Sequence, residues 1–210
     1  MNIAQLPLDQ RLSHISTLRY FLATAPITSS STSPIHNSLA LPTGDTITCV
    51  CWHSIFHITT TDILRALYSR FACFGRPVTF QKRFEEGVIA DLRQLRVERD
   101  AVLEETRSPL LEFLHQHQCI RTLKRQRVYY WYSVPHDRLF LDALERDIRR
   151  ERRGLLPTSV AVAEPALHVS GDATDEALFE LRRSLLGDES SSTEEFFIGQ
   201  LGGLMNSSSS

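Results

Sequence analysis

The chain has 210 residues, of which 42% are hydrophobic and 23% charged, a composition that fits one globular domain of ordinary size plus tails. No apolar run approaches the ~18 residues a membrane span needs, and the opening MNIAQLPLDQRLSHI lacks the basic start and apolar core of a secretory signal. The formal net charge of −2 conceals an asymmetry: residues 1–118 balance eleven Lys+Arg against eleven Asp+Glu, residues 119–153 carry ten against five, and residues 154–210 two against nine.

In chain order, residues 9–23 predict a helix, with Leu12, Ile15, Leu18 and Leu22 on one stripe and Arg11, Ser13 and Arg19 off it. Residues 26–38 (PITSSSTSPIHNS) read as a flexible loop. After the turn at Leu41–Asp45, the β-branched run Thr46–Trp52 reads as a strand. Thr60, Thr61 and Asp62 offer helix-start chemistry for an apolar face of Ile63, Leu64, Ala66, Leu67 and Phe71, and Gly75 is placed to end that helix. A further helix is expected over Phe84–Leu95, a charged loop over 96–108, and a helix opened by Pro109 and running to about Gln118.

Arg127–Val134 (RVYYWYSV) reads as a strand closed by Pro135. From about Asp137 to Arg153, Leu141, Leu144 and Ile148 form a core stripe with Phe140 at its edge, and arginines lie opposite. Residues 158–210 are sparse in aromatics and rich in Ser and acid, and predict a largely disordered tail with a short helix at Glu176–Leu186. The expectation is a mainly α chain with a small β component (α+β), a domain over 9–160 and an acidic tail over 161–210.

The chemistry concentrates in CIRTLKRQRVYYWYSVPHDRLFLDALERDIRRERR. Arg121, Lys124, Arg125 and Arg127 fall within seven residues, a density of cations suited to phosphate oxygens and counterion release from a nucleic acid. A basic helix following a strand offers a groove reader, and arginine suits guanine edges. Against this stands a solvated charged surface in which Tyr129, Trp131 and Phe140 are core residues, and Asp142 and Glu145 neutralise Arg146 and Arg149 along the helix.

At these residues the sequence closely resembles the fungal sterile-twelve family of transcription factors. Collinear blocks carry the resemblance: LRYFLATAP at 18–26, LPTG at 41–44, CVCWHSIFHIT at 49–59, TDILRAL at 61–67 and FGRPV at 74–78. KRFEEGVIADLRQL (82–95), LEETRSPLLEFL (103–114), CIRTLKRQRVYYWYSVPHDRLFLDALERD (119–147) and TSVAVAEPAL (158–167) complete it. The resemblance implies a nuclear, homeodomain-like DNA-binding domain that recognises double-stranded promoter elements of pheromone-response type. It also implies regulation of mating, invasive growth or development, with other transcription factors and a mitogen-activated protein kinase pathway as partners.

Carried over residue by residue, the resemblance falls on Arg121, Lys124, Arg125, Arg127, Tyr130, Trp131, Tyr132, His136, Asp137 and Arg138, with Arg76, Lys82 and Arg83 as a second group; all but Trp131, read as a core residue, and Asp137 form the expected DNA-binding set. The first four are expected on phosphates. Arg138 and the start of its helix are expected on bases, since Pro135 forces that helix to begin after it. The chain departs from the family where SSSTSPIHNSLA replaces a Trp-containing segment and basic patch, and where Thr60 replaces a Gly. It also lacks the C-terminal zinc-finger pattern of longer members.

Other chemistry is less supported. Cys49, Cys51, His53 and His57 have alternating spacing that suggests zinc, but it is unlike common structural sites. His115, His117 and Cys119 do not share a helix face. No nucleophile elbow or Gly-rich phosphate loop is present. The expectation is therefore a binding protein rather than an enzyme, with no cofactor and no metal. The competing class is a protein-interaction regulator, in which the acidic segment with Phe179, Leu181, Leu185, Phe196 and Phe197 binds a coactivator or folds back on the basic region.

Overall fold

A computed structural model describes residues 3–28, 34–170 and 174–187. Helix α1 (Leu8–Thr24) is followed by strands β1 (Ile35–Ala40), β2 (Thr46–Trp52) and β3 (Ile55–Thr59), then helices α2 (Thr60–Phe74) and α3 (Gln81–Leu92). Strand β4 (Ala101–Glu104), helix α4 (Pro109–Gln116), strand β5 (Gln126–Tyr130), and helices α5 (His136–Arg152), α6 (Ala166–Ser170) and α7 (Thr174–Leu186) complete the order. The strands form an antiparallel sheet in the order β1-β2-β3-β5-β4. The class is mixed α+β.

Alternation along the strands divides the sheet between two cores. Ile47, Cys49, Ile58, Ala101 and Tyr129 face the larger one, where they meet Leu18 and Phe21 of α1, Leu67 and Phe71 of α2, Val88 of α3 and Leu144 of α5. Val50 and Val128 face the smaller one, closed by Leu110, Leu111 and Leu114 of α4 and by Ile120. Each fully buried Leu or Phe contributes roughly 1.5–3 kcal/mol of transfer free energy, so the larger cluster dominates the fold. Within it the rings of Phe71, Phe74, Phe84 and Phe140 meet edge to face at 5.1–5.3 Å.

Local chemistry explains the helix ends. The Thr59 side chain accepts from the Asp62 amide at the start of α2, and Gly75 ends it at φ 90. The Ser108 hydroxyl caps α4 ahead of Pro109. α5 starts straight after Pro135, as expected, and Phe140 is central to its packing, at 1% exposure, rather than at an edge.

Several sequence-based expectations need correction. Strand β1 begins at Ile35, inside the expected loop 26–38, because its backbone pairs with β2. β4 lies inside the expected loop 96–108, drawn into the sheet by β5. β5 ends at Tyr130, and Trp131–Ser133 turn as a 3-10 helix. Arg11 is buried, with its guanidinium donating to the Leu6 and Cys73 carbonyls at 3.0 and 2.9 Å.

The folded body also continues past residue 160. Ala166, Val169 and Ala177 are buried, and Leu178, Leu181 and Leu185 pack against the main core. The helix expected at Glu176–Leu186 is α7. Phe196, Phe197 and the serine-rich end lie outside the described residues.

Candidate nucleic-acid interface

The basic loop 121–127 connects the α4 side of the sheet to β5, and two contacts hold it beside α3. Arg127 donates through Nη1 to the carbonyls of Arg93 and Leu95, at 3.3 and 3.0 Å, just past the end of α3. Arg121 reaches to 4.0 Å from Glu85 of α3. The loop therefore runs along one flank of α3. Arg127 serves largely as a staple, while Arg121, Lys124 and Arg125 stand in solvent. Arg125 pairs with Glu105 at 3.0 Å, but both side chains are well exposed, so that pair is weak and easily exchanged for a phosphate.

On the opposite flank α3 meets α5. The Arg146 guanidinium binds Asp91 at 2.6 Å and lies against the helix backbone at Gly87, where a Cβ would sit 2.9 Å from its Nη1. Desolvation raises the Asp91 carboxyl, and the Arg146 charge opposes that rise. Arg83, Arg146 and Arg150 line a cleft of about 270 Å³ between the two helices, with Glu86 and Thr158 at its wall. Lys82 and Arg83 are exposed and have no ion pair among the described residues. Arg93 and Arg96, at and beyond the end of α3, are exposed as well. Sequence reading left Arg93, Arg96, Arg146 and Arg150 out of the expected binding set, although Lys82, Glu86 and Arg93 already fall on one helical stripe.

Other expected contacts lie elsewhere. Arg76 is wholly buried: it pairs with Glu151 at 2.6 Å and donates to the hydroxyls of Ser159 and Ser170 at 2.9 and 2.8 Å. A phosphate cannot reach it, so its placement in the DNA-binding set is corrected. Beside it Asp147 accepts from the amides of Thr158 and Ser159 and from both their hydroxyls, tying the chain after α5 to that helix.

His136 has its Nε2 buried without a partner, and burial together with the Arg70 charge pushes its pKa down to about 4. It is neutral near pH 7 and does not act as a cationic contact. Asp137 is engaged by Arg70 at 2.6 Å and Arg19 at 3.1 Å. Trp131 is a core residue whose Nε1 donates to the Leu22 carbonyl at 2.8 Å.

Tyr132 is 63% exposed. Tyr130 lines a separate cleft of about 370 Å³ with Trp52, His57 and Glu104. Arg138 is exposed, with Asp142 3.9 Å away. The helix behind it, however, buries Leu139, Phe140 and Leu141 in succession, so its first turn offers little more than Arg138 to a ligand. The cations at its far end are partly taken: Arg149 pairs with Glu145 at 2.8 Å and Arg152 with Asp175 at the start of α7 at 2.7 Å.

The imagined zinc set does not assemble. His53 sits in the β2–β3 turn at φ 50, which breaks the alternation with Cys49 and Cys51. Cys49 faces the main core, and burial pushes its thiol up to about 12. Among the described residues no three His, Cys, Asp or Glu side chains converge on a metal position, and no described helix is long and apolar enough to cross a membrane.

Comparison with known proteins bears on this basic edge. Transcription factor MST12 of Pyricularia oryzae is 49% identical over 188 residues, covering 89% of this chain and 26% of that protein. Protein STE12 of Kluyveromyces lactis is 43% identical over 173 residues (82% and 26%), and protein STE12 of Saccharomyces cerevisiae 40% over 173 residues (82% and 25%). The chain thus spans about a quarter of the length of the curated relatives it matches. No solved structure matches. The family model described as STE like transcription factor matches residues 19–185, nearly the whole described body, and the chain belongs to that family.

Proposed function

We propose that this chain is the DNA-binding part of a sequence-specific transcription factor, acting in the nucleus on promoter elements of pheromone-response type. The observation that carries the reading is the stapling of loop 121–127 against α3 by Arg127. It holds Arg121 and Arg127 beside α3, which presents the exposed Lys82 and Arg83 and, at and beyond its end, Arg93 and Arg96, while Lys124 and Arg125 of the same segment stand in solvent. Cations gathered this way displace condensed counterions from a duplex, which is the main source of non-specific affinity. The family description, STE like transcription factor, and the name transcription factor MST12 agree with a role in transcription. Control of mating and development, and partnership with other transcription factors and a mitogen-activated protein kinase pathway, extend the reading by family resemblance. The role is binding, not catalysis. It is homeodomain-like only in offering one helix to a groove, because here helices pack on a five-stranded sheet instead of forming a three-helix unit.

The test is fluorescence anisotropy with a duplex carrying such an element and with a scrambled duplex, across a salt series. Tighter binding to the element is expected, with a log–log salt slope of about −3 to −5, from roughly four to five neutralised phosphates. Arg125→Ala should weaken both duplexes equally and make the slope shallower by about one. Folded protein that binds neither duplex at low salt would overturn this reading in favour of the protein-interaction role. The contact of Asp175 with Arg152 would then make α7 and the acidic end the next object of study.

A further inference from the structure

We propose that α3, not α5, is the helix that enters the major groove, and that it reads base edges with Lys82, Glu86 and Ala90, joined by Arg93 and Gln94 of the turn that follows it. The inference rests on the DNA-binding reading and assigns its specificity.

Helical geometry supplies the first support. At 100° per residue, Lys82, Arg83, Glu86 and Ala90 fall within one third of the helix circumference and are exposed, as are Arg93 and Gln94 in the turn that follows Leu92. The opposite side carries the buried Phe84, Val88 and Leu92. α3 is therefore anchored along one face and free along the other. By contrast, α5 buries Leu139, Phe140, Leu141, Ala143, Leu144 and Ile148, on more than one side.

The flanks supply the second. Arg121 borders α3 at Glu85, on one shoulder of the free face. Arg146 borders it at Gly87 and Asp91 on the other, with Arg150 in the same cleft. A helix in a major groove about 12 Å wide has a phosphate backbone on each side, so cations are needed on both shoulders. The missing Cβ at Gly87 is what lets the Arg146 guanidinium lie this close to α3.

The exposed side chains match base-edge chemistry. Lys82 and Arg93 suit the guanine O6 and N7 acceptors, Gln94 the adenine N6/N7 pair, Glu86 the cytosine N4 donor and Ala90 a thymine methyl. From Lys82 to Arg93 is eleven residues, or about 16 Å at 1.5 Å per residue, the length of four to five base pairs.

The experiment is selection from a duplex library with a randomised 20-base-pair core, using the full chain and its variants, followed by competition binding on the selected sites. Glu86→Gln keeps the shape of the side chain and removes its charge. Gln94→Ala and Arg138→Ala complete the set, with cooperative thermal melting as the check on folding. We expect the wild type to enrich a motif whose core spans four to five pairs. Glu86→Gln should change the base chosen at one position and Gln94→Ala should relax another, each losing roughly 5- to 100-fold discrimination. Arg138→Ala should weaken all sites alike.

The opposite pattern, with the motif unchanged for Glu86→Gln and Gln94→Ala and blurred for Arg138→Ala, would overturn the assignment and return base reading to α5. A wild type that binds DNA and enriches a motif that none of the three variants alters also overturns it. A folded wild type that enriches nothing fails the DNA-reading function itself, and this inference with it.

Discussion

The guanidinium of Arg76 is enclosed completely, whereas that of Arg125 is 58% exposed beside an equally wet carboxylate. The same side chain therefore has two different physical roles. Arg76 ties α2's end to α5 and to the segment after it through Glu151, Ser159 and Ser170. Removing Arg76 strips hydrogen bonds from Ser159 and Ser170, while Glu151, 31% exposed, regains water, so the cost is about 1–3 kcal/mol. Arg76→Ala should lower the urea midpoint accordingly, while the fraction that remains folded keeps its preference among DNA sites. Arg125→Ala should leave the midpoint within about 0.5 kcal/mol of wild type and act on DNA affinity alone. If Arg76→Ala instead melts like wild type and loses DNA binding, its assignment as a buried strut is wrong.

The junction between α2 and the segment after α5 depends on Gly75. Its φ of 90 is left-handed, and an added Cβ would lie 2.4 Å from the Ala163 carbonyl oxygen. The Gly75 carbonyl in turn accepts from the amides of Val162 and Ala163 at 2.9 and 3.2 Å. Gly44 has the same φ with nothing within 4 Å of the missing Cβ, so it isolates backbone strain from collision. Gly44→Ala should cost about 1 kcal/mol and Gly75→Ala distinctly more, of the order of 3 kcal/mol. Hydrogen exchange at the Val162 and Ala163 amides should speed up only in Gly75→Ala. Equal destabilisation by the two substitutions would mean that the close approach to Ala163 adds nothing.

Buried groups of opposite sign set the stability of the whole molecule in mild acid: two histidines lose stability as pH falls, while Asp62, raised to about 7 by burial, gains it. His136 is held at about 4, below its ordinary 6.5, by burial and by Arg70, and Asp137 only partly opposes them. Burial lowers His57 in the same direction, against a weaker pull from the Ile55 backbone and Glu104. At these two rings the unfolded chain therefore takes up protons before the folded one does. The stability that the neutral rings preserve is complete above about pH 6.5 and is lost as pH falls towards 4. For His136 the loss is at most about 3 kcal/mol. Between pH 7.5 and 4.5 the urea midpoint of wild type should fall relative to that of His136→Gln, which lacks the titrating ring. A constant difference between the two across that range would assign the histidine no part in the acid response.

The sequence by itself determined the elements whose signals are local. The cap before Ile63, Pro109 at the start of α4, Pro135 ahead of α5 and the apolar stripes of α2 and α5 need only near neighbours, and each helix stands where those signals place it. The family was legible for the same reason, since collinear blocks are a property of the chain and not of the fold. β1 and β4 were not legible, because strands this short exist only through the backbone partner that long-range pairing supplies.

Nor could sequence separate the arginines. Arg76 and Arg83 lie seven positions apart, yet one is sealed against α5 and the segment after it and the other faces solvent. Charge density drew attention to residues 121–127. Only the packing of that loop and of α5 against α3 decided which helix keeps a free face between two banks of cations. That choice depends on desolvation and distance between residues far apart in the chain, and those are set only when the tertiary structure forms.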